Sequence, residues 1–320
     1  MSIKLVDLFC GAGGFSRGFI QLNPSHHLAI DNDQIALETF SLNHPDSMTY
    51  QTDISTLHAN QIISILDGFP DIVLASPPCE EFSLANPKSE DSAVNRIYGG
   101  GSARLLLDAI RLIGDLNPSV FIIENVAAVL KGGGANVIRS ELRRIGVDTI
   151  YFNLIRCHHH GNPSKRLRVF ISNRKIRLPK AYAPPVMNVI GDLPPLDVTA
   201  IVSPHECKPN HVFVPVSKDK SKRIRRTRWG HGAKRIRVSK KRTLKDWVRF
   251  HPKQVSTSII GKSRYIHPYE DRLLTVREHA RLMSYPDDYI FKGHAHSQFD
   301  QVGESVPPII SHKIAEEVMT

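Results

Sequence analysis

Cysteine is scarce in this chain of 320 residues. Its four cysteines, Cys10, Cys79, Cys157 and Cys207, lie far apart and form no C-x-x-C pair. That spacing speaks against a zinc site or a disulfide framework and for reduced thiols. Long apolar runs are missing as well. No stretch approaches the ~18 residues that a bilayer span requires, so no membrane partner is expected. Met1-Ser2-Ile3-Lys4-Leu5-Val6 enters a strand pattern without signal-peptide architecture, and the expectation is a cytoplasmic protein. The glycine-rich stretch at residues 11–14 has neither the G-x-G-x-x-G spacing nor a G-K-[ST] ending. Acids are nearly absent from residues 217–249, where only Asp219 and Asp246 stand among fifteen lysines and arginines.

That last shortage locates the charge. The chain carries +11, residues 217–249 carry +13, and the remainder is close to neutral. A dense basic block on a near-neutral body reads as a polyanion site, most simply nucleic acid. Trp229 and Trp247 lie inside it. Arg223, Arg225, Arg226, Arg228, Arg235 and Arg237 are its candidate DNA-contacting side chains.

The first half alternates short apolar runs with helical patterns, which predicts an α/β fold with a largely parallel sheet. Lys4–Phe9 is a buried strand, followed by Cys10-Gly11-Ala12-Gly13-Gly14-Phe15-Ser16 and a helix. Strand, glycine turn and helix are the layout of a nucleotide site, and the missing phosphate signatures favour a smaller adenosine ligand. Residues 27–30 form a second strand ending in Asp31-Asn32-Asp33. An acid there is placed to bond a ribose hydroxyl. Asp53, after a third strand, faces the same crevice. Residues 71–75 read as another buried strand, stopped by Ser76-Pro77-Pro78, with Cys79 on the turn beyond. Residues 119–123 form a strand that ends in Glu124-Asn125-Val126.

Between them, Glu80–Gly101 reads as a long polar loop, a lid with Gly99-Gly100-Gly101 as its hinge. A helix over 102–116 follows. Helices are also predicted over 34–42, 135–145, 273–283 (a capping box from Thr275 and Glu278) and 311–318. Arg166 and Arg168 flank Leu167 and are expected on one face of a strand's beginning. His158-His159-His160 fits no zinc signature and reads as a polar loop, so no metal is expected. Prolines accumulate from 179 to 195, a boundary composition.

In this order the motifs resemble those of the C5-cytosine methyltransferases, the S-adenosylmethionine-dependent family that acts on DNA. The resemblance rests on Asp7-Leu8-Phe9-Cys10-Gly11-Ala12-Gly13-Gly14-Phe15, Asp53-Ile54, Pro77-Pro78-Cys79 with Phe82-Ser83, Glu124-Asn125-Val126 and Arg166-Leu167-Arg168. It continues through Arg272-Leu273-Leu274-Thr275-Val276-Arg277-Glu278 and Gly303-Glu304-Ser305-Val306. It implies a Rossmann-like methyltransferase sheet over residues 1–180 plus 302–320, with a small target-recognition domain and hinge over 181–301.

It also implies roles. Phe9, Gly11, Gly13, Asp31, Asn32, Asp53, Ile54, Pro77, Leu105, Ser305 and Val306 would hold S-adenosylmethionine, which leaves as S-adenosylhomocysteine. Cys79 would be the nucleophile that adds to C6 of a flipped-out cytosine. Glu124 would contact its N3 and amino group, Arg166 and Arg168 would support the site, and Ser83 would meet DNA. The expected partner is double-stranded DNA, the expected state a monomer at the nucleoid, and the expected setting a restriction–modification system. Ser164, Glu304, Glu80-Glu81 and Gly-Gly-Gly-Ser-Ala-Arg depart from the family's usual residues. Two other functions compete. A transfer-RNA cytosine methylase would carry a Cys-Phe-Thr motif, which is absent here, and a scaffold that only binds nucleic acid would need a damaged site.

Overall fold

The computed structural model describes residues 3–82, 93–99, 101–196, 208–239 and 242–319. The chain divides into two compact units. The first comprises residues 1–156, 167–179 and 310–320, and the second comprises 157–166 and 180–309. Ser83, Cys207 and half of the expected lid lie outside the described residues.

The strands of the first unit are β1 (Lys4–Leu8), β2 (His26–Asp31), β3 (Met48–Gln51), β4 (Ile72–Ala75), β5 (Val120–Val126) and β6 (Tyr151–Arg156). After β7 (Ser164–Lys165), which belongs to the second unit, β8 (Leu167–Ser172) returns to the first. Among the described residues seven strands form one sheet in the order β3-β2-β1-β4-β5-β8-β6. The pairs from β3 to β5 are parallel, and β8 runs antiparallel to both its neighbours. The order reverses between β1 and β4, and the crevice beyond the carboxyl ends of such a pair is where open α/β sheets bind ligands.

The register is even. Tyr50, Ile30, Leu8, Ala75, Ile123 and Ile171 stand opposite one another across the sheet. Leu28, Val73, Leu74, Ile122 and Phe170 are fully buried, as strands covered on both faces require. Helix 105–116 turns Leu106, Ala109, Ile110, Leu112, Ile113 and Leu116 inward.

Below the glycine turn runs a buried polar chain. Ser16 Oγ donates to Asp7 Oδ2 at 2.5 Å and lies 3.1 Å from His27 Nε2, while His27 Nδ1 lies 2.8 Å from Ser47 Oγ. With the serine proton directed at Asp7, His27 donates through Nε2 and accepts from Ser47. The chain ties β1, the helix start, β2 and the approach to β3 together.

Three expectations need correction. The Glu80–Gly101 stretch holds a helix, Ala93–Tyr98, rather than loop throughout. Ala93 and Ile97 are buried, and Gly133 and Gly134 are bare where the helix docks. A Cβ on Gly133 would stand 2.8 Å from Val94; one on Gly134 would stand 3.1 Å from Ala93, but it is excluded first by the Val129 carbonyl at 1.9 Å. β5 continues through Val126, so Glu124 lies within the strand. Arg166 and Arg168 do not share one face of a strand: Arg166 falls between β7 and β8, and only Arg168 belongs to β8. Helices Ala59–Leu66 and Ala295–Glu304 were not anticipated.

In the second unit, β7 pairs with β11 (Ser256–Thr257), and an antiparallel hairpin of β9 (Gly232–Ser239) and β10 (Arg242–Arg249) pairs with β12 (Tyr265–Ile266). Helix Lys218–Arg225 precedes the hairpin and buries Ile224 against Ile266 and Leu273. The basic segment thus has a regular fold that its run of solvent-facing charges concealed. Helix Val276–Leu282 starts in the expected capping box, with Thr275 Oγ1 accepting from Glu278 N and the Glu278 carboxylate accepting from Thr275 N.

Residues 310–319 come back to the first unit, where Ser311 Oγ donates to the Phe15 carbonyl. A Cβ on Gly18 would meet His312 N at 2.2 Å and Ser311 C at 2.3 Å, both backbone atoms. Gly18→Ala therefore overpacks this contact, and urea denaturation should show a loss of about 1–3 kcal/mol.

A second prediction concerns acid. Burial holds His27 down to about 3, and His44 and His279 down to about 4. Unfolded, each takes its proton near 6.5 while the native form does not, so stability falls as pH drops below about 6.5. Asp7 opposes this, because burial raises its carboxyl to about 7 and the native form binds its proton first. Burial also lowers His267, which adds to the histidines, and raises Asp31 and Asp108, which side with Asp7. With the histidines in the majority, the urea midpoint should fall between pH 7 and pH 5, and Asp7→Asn should steepen the fall.

Candidate functional site

β1 ends in a turn of unusual backbone. Phe9, Gly11 and Gly13 all have positive φ, at 60°, 51° and 86°. Such a conformation is uncommon for phenylalanine and costs of order 1–3 kcal/mol. Its ring packs against the core, and Cys10 N donates to the Ile30 carbonyl at 3.1 Å, which fixes the turn against β2. Nothing lies within 4 Å of the place a Cβ would take on Gly11, so the loop borders open space there.

Asp31 closes the other side. Its Oδ2 accepts from Gly11 N at 2.8 Å and its Oδ1 from Asp33 N at 2.9 Å. Burial raises its carboxyl pKa. Asn32 is exposed, and its carbonyl accepts from Gln51 Nε2 at 3.2 Å. Asp53 is exposed and turns the chain, its Oδ1 accepting from Ser55 N at 2.8 Å, while Ile54 is buried beside it. Pro77 is buried, and Leu105 is half-buried at the start of helix 105–116. Residues 9–16 contain no lysine or arginine.

Next to this loop β4 delivers Cys79. Ser76 N donates to the Leu8 carbonyl at 3.0 Å, which extends the sheet by one bond before the prolines break it. Asn125 Nδ2 donates to the Pro77 carbonyl at 3.3 Å, and Asn125 is fully buried. One hydrogen bond thus fastens the Pro-Pro turn to β5. The signal for this was present in the Glu-Asn-Val motif, but Asn125 drew no role from its sequence position. Phe82 N closes the turn on the Cys79 carbonyl at 3.0 Å. Cys10, Cys79 and Cys157 are thiols rather than disulfides. Cys10 and Cys157 are buried and Cys79 is partly exposed. Burial pushes the Cys10 thiol well up, which suits packing rather than reaction.

Glu124 stands one residue past Ile123, the partner of Ala75, and so shares its level with Ser76. It is 4% exposed, and Arg168 Nε lies 2.7 Å from its Oε1. The guanidinium comes from β8, the antiparallel neighbour of β5, and this pairing holds the carboxylate in one direction. The carboxylate of Glu81, in the short turn after Cys79, also has a defined place. Its Oε1 accepts from Ser102 Oγ at 2.9 Å and from Ala103 N at 3.3 Å. A Cβ on Gly101 would sit 2.2 Å from that oxygen. In this arrangement the carboxylate occupies the space beside Gly101.

Arg166, in the second unit, is buried. It donates to the carbonyls of Ile259 (3.0 Å), Gly303 (2.8 Å) and Glu304 (3.3 Å). Ser305 Oγ donates to the Val302 carbonyl at 2.9 Å, and Val306 is buried. Among the described residues no three metal-ligating side chains come together.

The same unit presents the basic surface. Ser217 caps helix Lys218–Arg225, and Arg223, Arg225, Arg226, Arg228, Arg235 and Arg237 are all exposed. The Nζ atoms of Lys220 and Lys234 stand 4.3 and 5.8 Å from the Trp247 ring centre. Arg249 has another use. It is buried and donates to the carbonyls of Thr227, His267, Glu270 and Ile224 and to Asp271 Oδ1 at 2.6 Å.

Comparison with known proteins agrees with this arrangement. A putative type II methyltransferase of Methanocaldococcus jannaschii is 36% identical over 324 residues, covering 99% of both chains. A second one from the same organism is 34% identical over 368 residues, covering 99% of this chain and 98% of its own. A putative DNA modification methyltransferase encoded in an E. coli prophage has the same fold, with a TM-score of 0.78 at 23% identity over 99% of both chains. The S. pombe Dnmt2 methyltransferase shares the fold at a TM-score of 0.65 and 17% identity, over 100% of this chain and 99% of its own. The family described as C-5 cytosine-specific DNA methylase matches residues 3–320. A switch-point crevice with its glycine turn, a partly exposed thiol beyond two prolines and an arginine-held glutamate on the next strand fit that match throughout: this chain belongs to the C-5 cytosine-specific DNA methylases.

Proposed function

We propose that this DNA cytosine-5-methyltransferase uses S-adenosylmethionine, forms a Cys79 adduct at C6 of a cytosine turned out of the duplex, and serves a restriction–modification system. The observation that carries the reading is the common level of the Ser76-Pro77-Pro78-Cys79 turn and Glu124 beside the open glycine loop. The type II designation of the two archaeal relatives supports the restriction–modification setting.

The loop fits the donor. Asp31 offers a carboxylate to ribose hydroxyls and Asp53 one to an adenine amino group, while Phe9, Ile54 and Leu105 are apolar enough for a purine. The absence of cations in residues 9–16 suits an adenosine without phosphates. Pro77 would pack against it, and Ser305 and Val306 would meet its amino-acid end. When bound, S-adenosylmethionine supplies a methyl group on a sulfonium.

The chain's own residues make cytosine able to take that group. C5 of cytosine is a poor nucleophile. The Cys79 thiolate forms a bond to C6 and leaves C5 enamine-like. After methylation a base removes the C5 proton, the released electron pair expels the Cys79 thiolate from C6, and the ring is restored. Glu124 in its acid form gives its proton to N3 as the thiolate adds, so the negative charge ends on its carboxylate rather than on the ring, and it accepts from the amino group. Arg168 holds that carboxylate, and Asn125 holds the turn that carries the sulfur, so neither reacting group has to be ordered when substrate arrives. Arg166 acts as a positioning residue through the backbone at 259 and 303–304. C6 is hidden in a stacked duplex, so the base is flipped out. The exposed arginines of 223–237 supply phosphate contacts and base reading, and Ser83 supplies a further DNA contact.

Bisulfite sequencing of DNA treated with enzyme and S-adenosylmethionine should reveal one recurring protected cytosine context. Cys79→Ser should abolish that protection while leaving duplex binding in place. Protection that survives the substitution sinks the mechanism. Binding should also weaken steeply with salt, and each arginine-to-alanine change at a phosphate contact should lower the log–log slope by about one. A flat salt response would argue against this surface as the DNA face.

A further inference from the structure

We infer that Trp229 and Tyr269 form an aromatic ledge on the second unit that takes a base face of the DNA at an unstacked step. This rests on the reading that the basic surface meets duplex DNA.

Tryptophan is highly buried on average, yet Trp229 is 46% exposed and Tyr269 is 59% exposed. Their rings meet edge-on at 6.0 Å, and Trp229 meets His251 in the same manner at 5.3 Å. The exposure does not come from a loose side chain. Trp229 Nε1 donates to the Pro268 carbonyl at 2.8 Å. Its turn is fixed by Gly230 N to the Arg249 carbonyl at 2.8 Å and by His231 N to the Arg228 carbonyl at 3.0 Å. The polar edge of the indole is thus satisfied within the protein, and what remains available is apolar ring.

The surroundings favour a polyanion. Arg226, Arg228 and His231 are exposed on the same turn, and Lys245 Nζ donates to the Gly230 carbonyl at 3.1 Å. The two acids beside Tyr269 are neutralised internally: Glu270 by Arg272 at 2.8 and 3.1 Å, and Asp271 by Arg249 at 2.6 Å. A rigid, partly exposed ring pair inside a cationic surface is the composition of a base-stacking platform. Turning a cytosine out of the duplex exposes base faces that such a platform can cover.

The chain has two tryptophans, so the full-length Trp247→Phe protein reports on Trp229 alone. Its emission should be quenched as a mixed-sequence duplex with one unpaired nucleotide is added. The anisotropy of the labelled duplex follows binding in parallel. Trp229→Ala should weaken binding about tenfold at every salt concentration, with the salt slope unchanged, and Trp229→Phe should recover most of the loss. Binding by anisotropy with unaltered emission overturns the ledge and leaves the DNA face standing. So does a Trp229→Phe protein as weak as Trp229→Ala and less stable than the parent, which marks a structural ring. No binding by any variant overturns the DNA-face reading and the ledge with it.

Discussion

The site depends on one geometric constraint, the register of the parallel strands. Leu8, Ile30, Ala75 and Ile123 stand at one level, so Phe9, Asp31, Ser76 and Glu124 share the next; there β1 and β4 leave the ladder, while Asp31 still pairs with Gln51 and Glu124 with Phe170. Slipping one strand by a single residue would turn its side chains to the opposite face and break the alignment. The Asn125 bond to Pro77 and the Ser76 bond to Leu8 carry the register past the end of the ladder into the turn that bears the thiol. The two prolines remove donors and fix φ, so the sheet ends there and the turn holds its shape.

Arginine serves two opposed purposes in this chain. Arg166, Arg249, Arg272 and Arg277 are buried and donate to backbone carbonyls; Arg249 and Arg272 also pair with carboxylates. They hold irregular segments of the second unit that have little regular pairing of their own. Exposed arginines at 223–237 face solvent with their charge available to a polyanion. Each buried guanidinium is balanced by acceptors, because an uncompensated charge at that depth would be costly. The unit's positive surface therefore belongs to the exposed set.

Much of this was legible beforehand because strong local signals carried it. Apolar runs stopped by glycine or proline located β1 and β4, a run stopped by Asp31-Asn32-Asp33 located β2, and the Thr275–Glu278 capping box located its helix. Cys79, Glu124 and the glycine loop stood out because their residue types are unusual at strand ends. What escaped was set by contacts distant in sequence. Helix Ala93–Tyr98 packs its Val94 against the bare Gly133, some forty positions away. Arg166 and Arg168 look equivalent in sequence and separate because the sheet pairing restarts at Leu167. Glu81 looked like a departure from the family pattern, and the donors that hold its carboxylate, Ser102 and Ala103, lie some twenty residues on. Arg249 cannot be told from its exposed neighbours by charge density, since burial is a property of the folded unit.

The return of residues 310–319 to the first unit has a consequence for synthesis. Gly18 and Phe15, near the start of the chain, are packed against Ser311 and His312. Residues 180–309 all emerge from the ribosome between those partners, which at about 5–20 residues per second takes on the order of ten seconds. During that interval the glycine-loop helix presents to the cell a bare patch that its own later residues will cover. The first unit is begun first and finished last, and the second unit can fold in the meantime.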